Sequence, residues 1–297
     1  MRLSHIICSR NRAAQLKIAL SKIDLDSLAH NNVQLVLVDS ASDDETLSIM
    51  QAFTAHLPRS IHALRADQPG HSAARNVGVR AATGELLAFT DDDCYLDRNY
   101  YTALLRDFDP AHFQYGMGQA LLFDQSDHPR IATQIFSKKG IIPPRTLLSV
   151  GLIQGLNMFA LRQVFDSVGL FSEDLGLGTP FVCEDIEFAA RASFAGFTGV
   201  LLPNVIIYHH HGRKPGSPEA EATLRGYDMG RGAYYAGLMT RGINEVWQLW
   251  SSLSRSTGRM PPATAAQLQR EFQGAADYLK LYISQSNDRE FEGPRRQ

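Results

Sequence analysis

The stretch Leu86-Leu87-Ala88-Phe89-Thr90-Asp91-Asp92-Asp93 decides the fold of this chain, because an apolar run leads directly into three carboxylates. The run at residues 86–89 is typical of a buried β-strand, and similar runs occur at residues 3–8, 33–38 and 61–64. Segments with helical spacing separate them, at residues 12–22, 43–55 and 72–82. This alternation predicts an α/β fold with a mostly parallel central sheet flanked by helices.

Polar residues follow three of these predicted strands. Ser9 and Arg10 come after the first strand, Asp39 ends the second, and the three aspartates follow the fourth. The carboxyl ends of parallel strands meet at one edge of a sheet, where open α/β sheets bind their ligands. We therefore expect these side chains to be neighbours in space.

The aspartate triplet is a candidate metal site. Carboxylates are ligands that Mg²⁺ and Mn²⁺ prefer, and both ions also bind substrate phosphates. The alternative is a solvated acidic turn, but the buried strand before Asp91 favours a position in the crevice. The choice between the two ions stays open.

Two further residues at the same edge are candidates for binding a nucleotide. Asp39 is placed to accept hydrogen bonds from a base or a ribose, or else to interact with the dipole of the next helix. Arg75 lies one turn into a predicted helix, and its planar guanidinium suits phosphate or base recognition. The alternative for Arg75 is a position on the helix surface.

Acidic and imidazole groups also occur in the second half of the chain. Glu184 and Asp185 start a predicted helix and could supply a general base, although the helix dipole alone also favours acids there. His209 and His211 follow an apolar run, and on a strand they share one face, where they could bind a metal or a phosphate. An exposed polar turn is the alternative for the histidines.

In the later part of the chain, the sequence pattern predicts helices and strands in a less regular order. We predict a strand at 113–123, a loop at 124–145, a glycine-rich segment at 151–157, a helix at 185–195 and a further apolar run at 199–207. After a linker at 212–218, helices are predicted at 219–241, 245–255 and 265–284. Residues 1–212 are therefore predicted as one domain, and residues 213–297 as a helical C-terminal extension.

Composition and motifs exclude several classes of protein. The 297 residues are 44% hydrophobic and 20% charged with a net charge of −2, which argues against disorder and against nucleic-acid binding. Three cysteines without CxxC spacing predict neither a disulfide framework nor a zinc site. The first strand is not followed by GxGxxG, and the chain has no GxxxxGK[ST] loop, so dinucleotide-dependent oxidoreductases and P-loop enzymes are disfavoured.

The same features give an expected location. The N-terminus has no signal-peptide pattern, and no run reaches the roughly 18 apolar residues of a membrane span. We predict a cytoplasmic protein, with peripheral contact with the inner face of the membrane left open.

Taken in order, the motifs of residues 3–211 resemble those of the family-2-like inverting glycosyltransferases with the GT-A fold, a Rossmann-like α/β fold. The motifs are Cys8-Ser9-Arg10-Asn11-Arg12, Val38-Asp39-Ser40, Ala74-Arg75-Asn76-Val77-Gly78, Asp91-Asp92-Asp93, Gly155-Leu156-Asn157-Met158, Glu184-Asp185-Ile186-Glu187 and Tyr208-His209. One departure is Cys-Ser-Arg-Asn-Arg, where many members have Thr-Tyr-Asn-Arg, so the aromatic contact to the base is missing or supplied elsewhere.

The resemblance implies a role for each candidate residue. Asp91 and Asp93 resemble the ends of the DxD motif that holds the cation, with His209 or His211 as a further metal or diphosphate contact. Asp185 resembles the general base, with Glu184 as the second choice. Nucleotide contacts are expected from Ser9, Arg10, Asp39, Arg75, Asp91 and Asp92. Contacts to the donor sugar or acceptor are expected from Gly155, Asn157 and Met158.

The activity implied is an inverting transfer of a sugar, dependent on Mn²⁺ or Mg²⁺, from a nucleotide-sugar donor. The expected donor is a UDP-sugar, and the expected acceptor is a hydroxyl of a glycan, a lipid-linked compound or a small molecule. The alternatives are a nucleotidyltransferase and a catalytically idle nucleotide-sugar-binding scaffold of a polysaccharide assembly complex. The C-terminal helices could form an acceptor-binding cap, a homo-oligomer interface or a membrane-facing surface, or they could simply pack on the sheet.

Overall fold

A computed structural model describes residues 1–248, 250 and 262–291. Within them the strands are β1 Leu3–Ser9, β2 Gln34–Asp39, β3 Ile61–Arg65, β4 Leu86–Asp91, β5 Cys94–Leu96, β6 Tyr115–Leu122, β7 Gly140–Ile142, β8 Met158–Leu161 and β9 Gly199–His209. The helices are α1 Ala13–Ser21, α2 Leu25–His30, α3 Thr46–Thr54, α4 His71–Ala81, α5 Tyr100–Asp107, α6 Arg162–Val168, α7 Glu184–Phe194, α8 Pro218–Thr240 and α9 Pro262–Phe291. A 3₁₀ turn, Gly155–Asn157, precedes β8.

All of these strands form one sheet, in the order β3-β2-β1-β4-β8-β6-β9-β5, with β7 paired to β9. The first four strands are parallel, and β8 joins them to β6 through two antiparallel pairings. Every residue of β2 is buried, as expected for a strand covered by helices on both faces. The predicted α/β architecture with flanking helices and a helical C-terminal region is confirmed, although the sheet as a whole is mixed.

The structure differs from the sequence expectations where strands are short. β7 lies inside the predicted loop at 124–145, and β8 follows directly after the glycine-rich segment. Strands of three or four residues carry too little periodicity to be recognised, because their pairing partners decide them. The predicted helix at 245–255 extends beyond the described residues.

The C-terminal helices α8 and α9 pack closely because glycines lie where they meet. A Cβ atom at Gly232 would collide with the backbone of Glu271, and one at Gly274 would collide with the carbonyl oxygen of Met229. A Cβ at Gly230 would lie 2.6 Å from the side chain of Val182, just before α7. These glycines therefore hold α8 against both α9 and the start of α7. No helix in the described ranges is both long and apolar enough to cross a membrane.

Candidate active site

Two adjoining cavities lie at the carboxyl ends of β1 and β4. The strand-end cavity, of about 410 Å³, is lined among others by Ser9, Arg10, Arg12, Asp91, Asp92, Asp93 and His209. The C-terminal cavity, of about 720 Å³, is lined by residues of α7, α8 and α9 and by the loop before the 3₁₀ turn. His71, Asp91 and Tyr227 line both cavities, so the two adjoin at these residues and are treated together as the cleft.

The aspartate triplet lines the strand-end cavity as expected. Asp92 accepts a hydrogen bond from the Ser9 hydroxyl and pairs with Arg12 Nη1 at 2.9 Å. Asp93 Oδ2 accepts from Arg12 Nη2 at 2.8 Å. Burial raises the pKa of Asp92 to about 6 despite the charge of Arg12. Burial also acts to raise the pKa of Asp93, but the His209 imidazole and the Arg12 guanidinium together outweigh it and lower that pKa.

His209 completes a candidate metal centre with Asp93. Its Nδ1–H donates to the carbonyl oxygen of Ala132 at 3.2 Å, which directs Nε2 towards Asp93 Oδ1, 3.3 Å away. Cys94 Sγ is near both groups, but burial keeps the pKa of its thiol well above the usual value. The His211 ring packs beside His209, yet His211 lines neither cavity. The structure therefore brings His209, and not His211, to the acidic triplet.

Asp91 belongs to a second charged group that reaches across the cleft. Arg75 is completely buried and donates from Nη2 to Asp91 at 3.1 Å and from Nη1 to Glu184 at 2.8 Å. His71 lies between the same carboxylates, 3.4 Å from Asp91 and 3.5 Å from Glu184. Burial and Arg75 lower the pKa of His71, but the two carboxylates outweigh them and raise it to about 9. A cationic imidazole therefore lies at the junction of the cavities.

Asp185 lines the C-terminal cavity and is held by the backbone. Its carboxylate accepts from the N–H of Gly155 at 2.7 Å and from the N–H of Ile186 at 2.6 Å. Burial, with the nearby Glu184 carboxylate, raises the pKa of Asp185 to about 7. Cys183 precedes the pair with a φ of +89°, a strained conformation for a residue other than glycine. Asp185 is thus a carboxyl group of fixed orientation that lines the cavity and has a pKa near neutral pH.

Asp39 lies beside the strand-end cavity rather than on its wall. Its carboxylate is fully buried, accepts from the backbone N–H of Ser42 and pairs with Arg65 Nη1 at 2.9 Å. Ser42 instead accepts from the Asn11 N–H, and α3 begins after Glu45 without a side-chain cap. The Ser42 hydroxyl therefore connects two loops and does not cap α3.

Some residues of the glycine-rich motif at 155–158 line a cavity, and others are buried in the core. Gly155 lines the C-terminal cavity, but Asn157 and Met158 are buried and line neither cavity. The Asn157 amide donates to the carbonyl oxygens of Gln119 and Val205 and accepts from the Tyr100 hydroxyl. All the polar groups of the Asn157 side chain are thus used inside the fold, and the contact of Asn157 and Met158 with the donor sugar or acceptor stays a prediction.

Acids, arginines and a histidine thus meet at the strand ends, and the sequence that places them there matches the model of a known protein family. The family model described as "Glycosyl transferase family 2" matches residues 4–167. The chain belongs to glycosyltransferase family 2. Glycosyltransferase AglE of Haloferax volcanii is 24% identical over 243 residues, which are 80% of this chain and 75% of AglE. The uncharacterized glycosyltransferase YwdF of Bacillus subtilis is 24% identical over 177 residues, which are 59% of this chain and 63% of YwdF.

Solved structures show the same fold for this glycosyltransferase. S. aureus TarS 1-349 matches with a TM-score of 0.55 and 18% identity, covering 93% of this chain and 81% of that one. The mannosyltransferase PcManGT from Pyrobaculum calidifontis matches with a TM-score of 0.54 and 19% identity, covering 96% and 83%. The predicted GT-A fold is confirmed.

The glycosyltransferase cleft also contains residues that sequence reasoning did not assign. His71, Arg12, Arg213 and Tyr227 line it, and His71 bridges its two halves. Arg12 is part of the first motif, so its position after β1 was a usable signal. His71 carries no such signal, because only the packing of α4 against α7 places it between Asp91 and Glu184.

Proposed function

We propose that this enzyme transfers a sugar from a nucleoside diphosphate sugar to a hydroxyl acceptor, with inversion and with a divalent cation. The observation that carries the proposal is that the two cavities adjoin: the cavity with the aspartate triplet and His209 shares lining residues with the cavity that holds Asp185. A diphosphate in the first cavity and a hydroxyl in the second would meet where His71 and Asp91 line both.

The donor half suits a nucleoside diphosphate. Arg10, Arg12 and Arg213 line the strand-end cavity, and guanidinium groups bind phosphate oxygens through paired hydrogen bonds. TarS has been solved with UDP-GlcNAc, and PcManGT with GDP-Man and Mn²⁺. A nucleotide sugar is the donor class that we carry over to this chain, with a UDP-sugar tested first. Asp39, whose carboxylate also meets Arg65, is the proposed base contact, and Ser9, Arg75, Asp91 and Asp92 are proposed to complete the nucleotide site.

The proposed cation would be held by Asp91, Asp93 and His209. Two carboxylates and an imidazole whose Nε2 faces Asp93 form a donor set that accepts Mn²⁺ or Mg²⁺. When bound, the cation would neutralise the negative charge that develops on the departing diphosphate. Within the protein, Arg12 holds Asp93 and Arg75 holds Asp91, so both carboxylates are oriented before any ligand enters.

Asp185 is the proposed base, and Glu184 has a different task. Glu184 is paired with Arg75, and although burial acts to raise its pKa, His71 and Arg75 outweigh burial and lower it. A carboxylate with a depressed pKa is a poor proton acceptor, whereas the pKa of Asp185 lies near neutral pH. Attack by a hydroxyl activated at Asp185, on the face of the sugar opposite the diphosphate, inverts the anomeric carbon.

An idle nucleotide-sugar-binding scaffold is the alternative function. It would not need a carboxylate with a raised pKa in a second cavity, and the Gly155 hydrogen bond that orients Asp185 argues for a working base. The cytoplasmic location, the peripheral membrane contact, the homo-oligomer and the division of the chain after residue 212 stay predictions.

The experiment measures nucleoside diphosphate release from UDP-, GDP- and dTDP-sugars with Mn²⁺ or Mg²⁺. We expect slow metal-dependent hydrolysis of one donor, and its loss with chelator or in Asp93→Ala. Asp67→Ala is the matched control, since Asp67 is exposed and lines neither cavity. No turnover across the panel, together with thermal stabilisation by one of the nucleotides and metal, would favour the scaffold, whereas neither turnover nor stabilisation would contradict both functions. Pyrophosphate release from a nucleoside triphosphate would indicate a nucleotidyltransferase.

A further inference from the structure

The C-terminal cavity has a charge pattern that the transfer chemistry alone does not require. Its lining includes six basic residues, which are His71, Arg75, Arg130, Arg225, Arg231 and Arg270, and four acidic ones, which are Asp91, Glu184, Asp185 and Asp228. The five arginines alone outnumber the four carboxylates, so positive charge is in excess. A cavity for a neutral hydroxyl compound needs no such excess.

Four of these cations are neutralised inside the protein. Arg75 and His71 lie between Asp91 and Glu184. On the helical side, Asp228 pairs with Arg270 at 2.9 Å and with Arg231 at 3.2 Å. Arg231 also pairs with Glu271 at 2.5 Å. The pairs on the helical side fix the relative position of α8 and α9. Of the basic residues that line the cavity, Arg130 and Arg225 are not in any of these pairs.

Arg130 and Arg225 are exposed at the mouth of the cavity and are nearly free. Among the described residues, the Arg130 side chain has no hydrogen-bond or ion-pair partner. Arg225 has a single distant partner, Glu221 at 3.5 Å, and both of those side chains are more than half exposed. Such an exposed pair contributes little and yields easily to a stronger anion.

The backbone holds Arg130 at this mouth. Ile131 is buried, and the carbonyl oxygen of Ala132 accepts from His209 at 3.2 Å, so the segment is anchored to the candidate metal centre. The carbonyl oxygen of Thr133 accepts from Gln154 at 3.4 Å, which ties it to the turn that holds Asp185. Arg225 projects from α8, one residue before the cleft-lining pair Gly226 and Tyr227. Two nearly unpaired guanidinium groups therefore line the same cavity as the base.

We propose that the C-terminal cavity binds an acidic acceptor, a hydroxyl compound whose phosphate or carboxylate group is held by Arg130 and Arg225. The proposal rests on the proposed function. The acceptor O–H gives its proton to Asp185, its oxygen forms the bond to the anomeric carbon, and the bond from that carbon to the diphosphate oxygen breaks. Guanidinium groups bind both kinds of oxyanion in the same fork geometry. The phosphate could belong to a polyol phosphate or to a lipid phosphate.

The test measures binding of three acidic probes, with glycerol as the neutral control. Glycerol 3-phosphate, decyl phosphate and glucuronate are titrated by calorimetry into the full chain saturated with UDP and Mn²⁺, and into the chain without them. We expect at least one probe to bind, and its affinity to fall at least tenfold in R130Q/R225Q, as expected when charged hydrogen bonds are lost. The order of affinities separates a polyol phosphate, a lipid phosphate and a carboxylate as the source.

The matched control is R59Q/R98Q, which removes the same charge from two exposed arginines that line neither cavity. This control should bind the probes as the wild type does. The proposal is overturned if no probe binds the wild type more tightly than glycerol does, or if both double variants bind equally well. UDP binding and donor hydrolysis, measured on the same wild-type preparation, report separately on the proposed function.

Discussion

The Asp185 carboxylate and the backbone N–H of Gly155 are joined by a hydrogen bond of 2.7 Å. Gly155 also faces Arg75, and a Cβ at this position would lie 2.6 Å from Arg75 Cζ and closer still to its nitrogens. One glycine thus orients the proposed base and leaves room for the guanidinium that joins Asp91 to Glu184. The two cavities are coupled through this contact.

Gly155→Ala should therefore disable the enzyme without unfolding it. The new methyl group would lie 2.6 Å from Arg75 Cζ, so it displaces this buried guanidinium from its two carboxylates. We expect the free energy of unfolding to fall by about 1–3 kcal/mol, as for other overpacked sites. We expect turnover to fall by more than this loss of stability explains. Urea denaturation measures the stability, and donor hydrolysis measures the turnover.

Gly226→Ala is the matched control for this stability measurement. Gly226 lies in α8, and nothing lies within 4 Å of a Cβ at that position. Alanine should raise the free energy of unfolding by up to about 1 kcal/mol through helix propensity. Unchanged turnover in Gly155→Ala would show that the Arg75 bridge is not needed.

Asp185→Asn and Glu184→Gln should separate the base from its neighbour. An asparagine in place of Asp185 cannot take a proton, so we expect transfer to slow by about 10²–10⁴-fold while UDP and metal binding persist. A glutamine in place of Glu184 removes the charge that holds Arg75, so it should also lower the free energy of unfolding by about 1–3 kcal/mol. Single-turnover rates and urea denaturation of both variants check this. Full activity in Asp185→Asn would move the base elsewhere.

The sequence was enough to predict the first half of the sheet and the acids at its edge. β2 and β4 are mostly apolar and β1 contains the apolar run Ile6-Ile7-Cys8, and parallel strands bring their carboxyl ends together at one edge of the sheet. Ser9 and the aspartate triplet therefore meet as predicted. The short strands β5, β7 and β8 escaped prediction, because their residues become strands only through pairing with β4, β6 and β9.

The directions of side chains were less predictable than their positions along the chain. Asn157 belongs to a motif near the cleft, yet its amide faces the core, where the carbonyl oxygens of Gln119 and Val205 accept from it. β9 ends at His209, so His211 lies beyond the strand. The alternation of side chains along a strand therefore could not show which of the two histidines reaches the site. His71 reaches the site through the packing of two helices distant in sequence.

His209→Gln and His211→Gln should differ in their demand for metal. His209 Nε2 lies 3.3 Å from Asp93, whereas His211 lines neither cavity. We expect the Mn²⁺ concentration for half-maximal donor hydrolysis to rise at least tenfold in His209→Gln, because a weakened set of ligands lowers the affinity for the metal by roughly that factor. His211→Gln is the control and should keep the wild-type requirement. Equal requirements in both variants would remove His209 from the metal site.

Transfer should depend on pH through the Asp185 carboxyl. Its pKa is raised to about 7 by burial and by Glu184, and the base works only when deprotonated. The rate should therefore rise with pH and level off above about 7, and at pH 6 it should be roughly tenfold below the plateau, since about a tenth of the carboxyl is ionised there. A kcat profile at saturating donor and metal checks this, with Asp185→Asn expected to lose the acid limb. A rate that falls with rising pH between 6 and 8 would contradict the assignment.

The raised pKa of Asp185 lowers the free energy of unfolding at the pH where its carboxylate is deprotonated and can act as the base. An aspartate with an ordinary pKa of 3.8 when unfolded and about 7 when folded binds its proton more tightly in the folded state. Its contribution to stability is complete below about pH 4 and is lost as the pH rises through about 7. An asparagine side chain does not ionise, so Asp185→Asn should gain stability over the wild type on going from pH 5 to pH 8, on the order of 1–4 kcal/mol. Urea denaturation at both pH values measures this difference, and the exposed Asp67→Asn should show none. An equal effect of Asp185→Asn at pH 5 and pH 8 would mean that the folded protein does not hold the Asp185 proton.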